Sequence, residues 1–121
     1  MTSSPSPFKS LLFSFAFSPS LEVNILGANR LAGFLGGKLI LLHVGGKTVK
    51  RTKIIEGVLD TFEQPDLPLE VRWQSGKPFD VIMEACETFD VDLLILDAGQ
   101  HGRYLPVLCG VIRFYLWPSL L

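Results

Sequence analysis

The chain has only two cysteines, Cys86 and Cys109, and neither has a partner at CxxC or CxxH spacing. No zinc framework is therefore readable, and both thiols sit beside apolar residues, where a reduced, buried cysteine is at home. An excess of one charge is missing too: 11 Lys and Arg face 12 Asp and Glu, a formal net charge of −1. That leaves no electrostatic footprint for nucleic acid or for an anionic membrane surface. No apolar run approaches the roughly 18–20 residues needed to span a bilayer. The apolar stretch Leu11–Phe17 after Lys9 imitates a secretory signal. It is short, carries Ser14, and ends in Ser18-Pro19 without a small-x-small cleavage site, so a strand of a cytoplasmic protein fits better. The sequence also lacks G-x-S-x-G, H-E-x-x-H and G-x-G-x-x-G, the hydrolase, zinc-protease and dinucleotide signatures. Nothing in it calls for an enzyme.

What is present is a globular composition, 48% hydrophobic and 19% charged, over 121 residues. This is enough for one core and leaves no room for a second domain. Residues 1–7 form a polar, proline-bearing tail expected to be disordered, and 8–121 a single domain.

Along the domain, Leu11, Phe13, Phe15 and Phe17 alternate with Leu12, Ser14, Ala16 and Ser18. Period two predicts a strand over Ser10–Phe17. Ser18-Pro19 then reads as a helix start, with a hydroxyl cap followed by proline at the first helical position. Leu21, Ile25, Ala28, Ala32 and Leu35 form one apolar stripe, which Gly36-Gly37 should stop. Leu39–Val44 is almost wholly apolar and predicts a strand covered on both faces. Ile54, Ile55, Val58, Leu59 and Phe62 mark a second helix, bracketed by Pro65 and Pro68. Leu67, Leu69, Val71 and Trp73 alternate with Pro68, Glu70, Arg72 and Gln74, the pattern of an edge strand. Gly76-Lys77-Pro78 opens a third helix with Phe79, Ile82, Met83, Cys86 and Phe89 inward, and Leu93–Leu96 is a fourth, buried strand.

Strands alternating with helices predict an α/β fold: an open, mostly parallel sheet with right-handed crossovers and helices on both faces. With strand three at the edge and strands one, two and four central, the Rossmann-like, flavodoxin-like order 3-2-1-4 satisfies the pattern. The order reverses between strands one and four, and ligands in such sheets sit outside the C-terminal strand ends at that reversal. The segments after Phe17 and after Leu96 should line the crevice.

Taken in order, these residues resemble the universal stress protein family. Ala16-Phe17-Ser18-Pro19 matches its D-F-S-P, Ala28-Asn29-Arg30-Leu31-Ala32 its A-x-x-L-A helix, and Leu41-Leu42-His43-Val44 its L-L-H-V strand end. Gly76-Lys77-Pro78 with Ile82 resembles the G-x-P turn and helix, and Asp92-Leu93-Leu94-Ile95-Leu96 the D-L-I-V-M strand. The similarity spans residues 8–118 and implies a stress-response module of that fold.

The resemblance also implies a nucleotide site, carried in ATP-binding members by G-x2-G-x9-G-(S/T) after strand four. Those four positions fall on Asp97, Gln100, Gly110 and Val111, with nine residues, 101–109, preserving the spacing. Only Gly110 keeps its type. A glycine lets backbone N–H groups approach phosphate, whereas the Asp97 carboxylate repels it, and Val111 lacks the hydroxyl donor. Ala16 stands where the family's nucleoside-holding aspartate would be, beside Phe17 and Ser18, and Val44 falls where the family's backbone contacts adenine. His101 lies in the same loop and can reach an anion when protonated.

In the family a full helix separates G-(S/T) from the last strand. Here Val111–Leu116 is followed at once by Trp117-Pro118-Ser119-Leu120-Leu121, so the fourth helix is expected to shrink to one or two turns and strand five to be short or missing. That would leave an edge of strand four exposed and ready to pair with another chain. A rival motif, Gly45-Gly46-Lys47-Thr48, ends like a P-loop, but its first glycine would fall on Leu41 within the strand. A polar turn with a helix start at Thr48 is the simpler reading. His43 is expected to be a hydrogen-bonded core histidine, and Asp92 to cap or pair locally.

The resulting expectation is a stress-response regulator that is not a competent ATP binder, works as a homodimer or by docking a protein partner, and needs no cofactor. The alternatives are an adenine-nucleotide module holding ATP or AMP at the 97–110 loop, and a P-loop-like NTPase acting through Gly46-Lys47-Thr48.

Overall fold

The computed structural model describes residues 9–62, 66–97 and 113–117, with 97 and 113–117 as backbone. Alternation of large side chains builds β1 at Ser10–Ser14, and the all-apolar stretch after the first helix builds β2 at Lys38–Val44. The half-polar β3 is Leu69–Gln74, and β4 is Leu93–Asp97. A fifth strand, β5, is Arg113–Trp117. All pair in parallel in the order β3-β2-β1-β4-β5. The order 3-2-1-4 read from the sequence is thus the observed one.

The fifth strand is a correction. Arg113–Leu116 falls in the stretch assigned above to a shortened fourth helix, yet these residues lie beside β4, with Leu93 opposite Arg113 and Asp97 opposite Trp117. β5 is as long as β4, so the β4 edge is covered rather than free. Arg113-Phe114-Tyr115-Leu116-Trp117 is rich in aromatics that favour a pleated surface. A continuous apolar run does not separate helix from strand, and the open hydrogen-bonding edge of β4 decides the matter.

Three helices complete the described fold: α1 at Leu21–Leu35, α2 at Val49–Leu59 and α3 at Pro78–Thr88. α1 starts two residues later than Ser18-Pro19 suggests. The Ser18 carbonyl instead accepts Leu21 N–H at 3.0 Å, so Pro19 lies in a turn and Ser20 becomes the cap position. At the other end Gly36 takes φ +72, the left-handed cap that a glycine permits without strain. Thr48 caps α2, its hydroxyl accepting Arg51 N–H at 3.1 Å, and Pro78 occupies the first position of α3.

The sheet divides the core. Leu11, Phe13, Phe15, Leu39, Leu41, Leu93 and Ile95 face α1 and α2, meeting Ile25, Ala28, Ile55 and Val58. Leu12, Ile40, Leu42, Leu94 and Leu96 face α3, meeting Val81, Ile82, Ala85 and Cys86. Each leucine taken fully out of water contributes about 2 kcal/mol. The edge assignment of β3 holds, since its outer Arg72 and Gln74 are exposed. Ile54, placed inward by its spacing, is instead 40% exposed, because α2 turns Ile55, Val58 and the partly buried Leu59 onto the core. Among the described residues no helix is long and apolar enough to cross a membrane.

Candidate functional site

The reversal of strand order lies between β1 and β4, where Ser14 is opposite Leu96 on one side and Leu42 on the other. Ser14 is the last residue of β1. Phe15 N–H still reaches the Leu42 carbonyl at 2.9 Å, and the chain then turns as Ser18 N–H bonds the Ala16 carbonyl at 3.0 Å. The strand therefore ends three residues before the Phe17 limit expected from alternation, and Ala16, Phe17 and Ser18 form the β1–α1 connection.

The four described candidates of this connection and of β2 do not converge on one pocket. Phe17 packs with the core facing α1 and α2, whereas Val44 packs with the core facing α3. Ser18 is exposed and lines a groove with Pro19, Leu21, Ile54, Gly57 and Val58 between the two helices. Ala16 is half-buried and contributes its carbonyl to the turn. The backbone of Asp97 ends β4 opposite Trp117. Gln100, His101, Gly110 and Val111 lie outside the described residues, as do the 1–7 tail and Cys109.

Beside the crevice the structure assembles a group that spacing alone does not single out. Phe15, Phe17, His43 and Trp73 come from three separate segments and are in mutual ring contact at 4.8–6.4 Å. The parallel register sets His43 opposite Trp73, and period two puts both on the face of Phe15. The Arg51 guanidinium covers Phe17, 5.1 Å from its centroid, while another of its N–H groups donates to the Gly46 carbonyl at 3.2 Å. Such stacking of a cation on a ring adds to the packing.

His43 is the core histidine expected, 8% exposed, with Nδ1 3.0 Å from the Phe15 carbonyl oxygen. A carbonyl only accepts, so Nδ1 carries the proton. Its Nε2 lies where Gly45 turns at φ +155, and a Cβ at residue 45 would come within 2.7 Å of it. Gly45 is thus held to glycine by conformation and by contact together. The Gly45–Thr48 connection has no long phosphate-wrapping loop: it runs from the end of β2 to the α2 cap within four residues and is tied by Thr48 and Arg51.

Asp92 pairs as expected, but across the whole chain rather than locally. Its Oδ2 accepts Lys9 N–H at 2.9 Å and Ser10 N–H at 3.0 Å, at the opposite end of β1 from the crevice. Cys86 faces the α3-side core, where burial first and the Glu87 charge second push its thiol up to about 12. It is a packing residue.

One polar group at the crevice escaped the sequence reading altogether. Ser14 is 1% exposed, and its Oγ is the buried side-chain polar atom without a hydrogen-bond partner among the described residues. Its place on the small-residue face of β1 was visible; the absence of a partner was not.

No family model matches the sequence, and no curated protein matches it. Solved structures do match its fold. A universal stress protein crystallised in complex with cAMP aligns with a TM-score of 0.70 at 17% identity, over 92% of this chain and 97% of that one. A protein of the universal stress protein family from Burkholderia pseudomallei aligns at 0.73 and 12% identity, over 94% and 98%. A universal stress protein from Archaeoglobus fulgidus DSM 4304 aligns at 0.61 and 20% identity, over 85% of this chain and 37% of that longer one. The strand order, the three helices and these alignments together give the chain the universal stress protein fold.

Proposed function

We propose that the chain is a universal-stress-protein-like regulatory module that does not bind ATP tightly and acts by self-association or by docking a partner protein, without catalysis of its own. The observation that carries this reading is the dispersal and chemistry of the described candidate positions, with Phe17 and Val44 packed on opposite sides of the sheet. Ala16, Phe17 and Val44 offer no polar side-chain atom, and Phe17 is engaged with Trp73 and Arg51. A triphosphate needs convergent donors and cations, which these positions do not supply. Isothermal calorimetry with ATP, ADP and AMP in the presence of magnesium tests it. Heats below detection at low-micromolar concentrations are expected, and ATP binding in that range would refute the reading. Sedimentation across a concentration series tests the self-association.

A second reading has an observation of its own. One of the matching structures is of a universal stress protein in complex with cAMP, and in this chain Ser14 leaves an unpaired buried hydroxyl at the end of β1. That supports a crevice that takes an adenine-bearing ligand through its nucleoside portion, with little help from phosphate.

A further inference from the structure

We propose that the outer face of α2 is a self-complementary interface that pairs two copies of the chain about a two-fold axis, their α2 helices antiparallel. The inference rests on the self-association proposed above and assigns it a surface. Three features of α2 carry it.

The first is charge. Lys50, Lys53, Glu56 and Asp60, the last at the cap position, are all exposed, and among the described residues none of them has an ion pair. The cations occupy the first half of the helix and the anions the second, with no acid in the first turn and no base in the last. The helix dipole favours the reverse, so α2 by itself gains nothing from this arrangement. An antiparallel copy corrects both ends, setting Lys50 against the partner's Asp60 and Lys53 against the partner's Glu56. The second feature is Gly57. It lies inside the helix, where glycine is less favourable than alanine, and a Cβ there would meet nothing within 4 Å. Packing among the described residues does not ask for a glycine, whereas close approach by a second helix does. The third is Ile54, 40% exposed and three residues before Gly57 on the same stripe. The two border a groove of about 360 Å³ against Pro19 and Leu21. In the antiparallel pair each Ile54 comes beside the partner's Gly57, an apolar knob at a notch, flanked by the ion pairs. Two-fold symmetry lets one surface supply both halves of the contact. A single pair of 11-residue helices is a small interface, so the dimer is a weak one.

Sedimentation of the whole chain across a concentration series is the test. The wild type should form a dimer that dissociates as salt is raised. Lys50→Glu and Asp60→Lys should each weaken it about tenfold or more, because each sets like charges against one another twice in the pair. Both changes suit the dipole of α2, so neither should unfold the monomer. Mixed in equal amounts, the two variants should pair with each other about as tightly as the wild type does with itself, since every contact is again between opposite charges. Gly57→Gln should raise the melting temperature of the dilute chain yet weaken the dimer. A wild-type dimer indifferent to all three substitutions would overturn the α2 interface and leave self-association standing elsewhere. Loss in Lys50→Glu with Asp60→Lys unaffected would seat the acidic outer face of α3, Asp80, Glu84 and Glu87, on α2 and overturn the two-fold pairing. A wild type that stays monomeric at millimolar concentration would overturn the inference together with the self-association it rests on.

Discussion

The two ends of the sheet are built on opposite terms. At the N-terminal end of the strands polar groups close on one another. Asp92 takes two backbone N–H groups of the segment entering β1, its own N–H reaches the Ser10 carbonyl at 2.8 Å, and Ser10 Oγ donates to the Phe89 carbonyl at 3.2 Å. Lys38 N–H bonds the Lys9 carbonyl, and Leu39 N–H the Pro68 carbonyl, each at 2.9 Å. At the C-terminal end the chain turns through glycines of positive φ, Gly45 and Gly76, beside an aromatic group of which Phe17 and Trp73 are only partly buried and beside the unpaired Ser14 hydroxyl. One end is fastened, and the other keeps chemistry unspent.

Substitutions at the two ends should act independently of one another. The largest loss is expected from Asp92→Ala, which frees two backbone donors from a carboxylate. Urea unfolding should show about 2–3 kcal/mol of destabilisation, with no change in any ligand response. Gly45→Ala should cost about 2 kcal/mol, since the new Cβ meets a His43 ring held by the Phe15 carbonyl and three aromatic neighbours. A loss under about 0.5 kcal/mol would show that the ring gives way. Asp92 and Gly45 are at opposite ends, so the double variant should be additive within about 0.5 kcal/mol. Coupling beyond that would break the separation of the two ends.

The smallest effect concerns Cys86. Its thiolate is the reactive form, and burial keeps the thiol protonated up to about 12. Native protein should label at this residue far more slowly than urea-unfolded protein at pH 8, by mass spectrometry of the digested chain. The same shift has a stability consequence. The unfolded thiol ionises at its ordinary value of 9.0 while the folded one does not. Its contribution is therefore whole below about pH 9 and declines as pH rises from there towards 12. A Cys86→Ala variant with the same alkaline stability slope as the wild type would remove this account.

Much of the fold is legible in residue pattern. Leu11, Phe13 and Phe15 against Leu12 and Ser14 give β1 its two faces, and Leu39–Val44 announces a strand buried on both. The polar outer face of Glu70, Arg72 and Gln74 puts β3 at the edge. The failures have physical causes. Helix starts shift because Ser18-Pro19 forms a turn as readily as a cap. Arg113–Trp117 escapes because an apolar run is equally good for helix or strand until a neighbouring edge offers it hydrogen bonds.

The candidate site is less legible for the same kind of reason. Ala16, Phe17 and Val44 were found as sequence neighbours of a motif, yet Phe17 and Val44 lie on opposite sides of the sheet. The His43–Trp73 pairing needs a register between strands about thirty residues apart, and local pattern carries no register between distant segments.

By itself the sequence determined the class of the fold, the edge position of β3 and the glycine stop of α1, because each depends on local periodicity or on one residue's chemistry. The tertiary structure decided that the last strand covers β4, that Asp92 locks the start of β1, and that Ser14 alone lacks a partner among the described buried side-chain polar atoms. Hydrogen-bond satisfaction is a property of what surrounds a group, and only the folded chain supplies those surroundings.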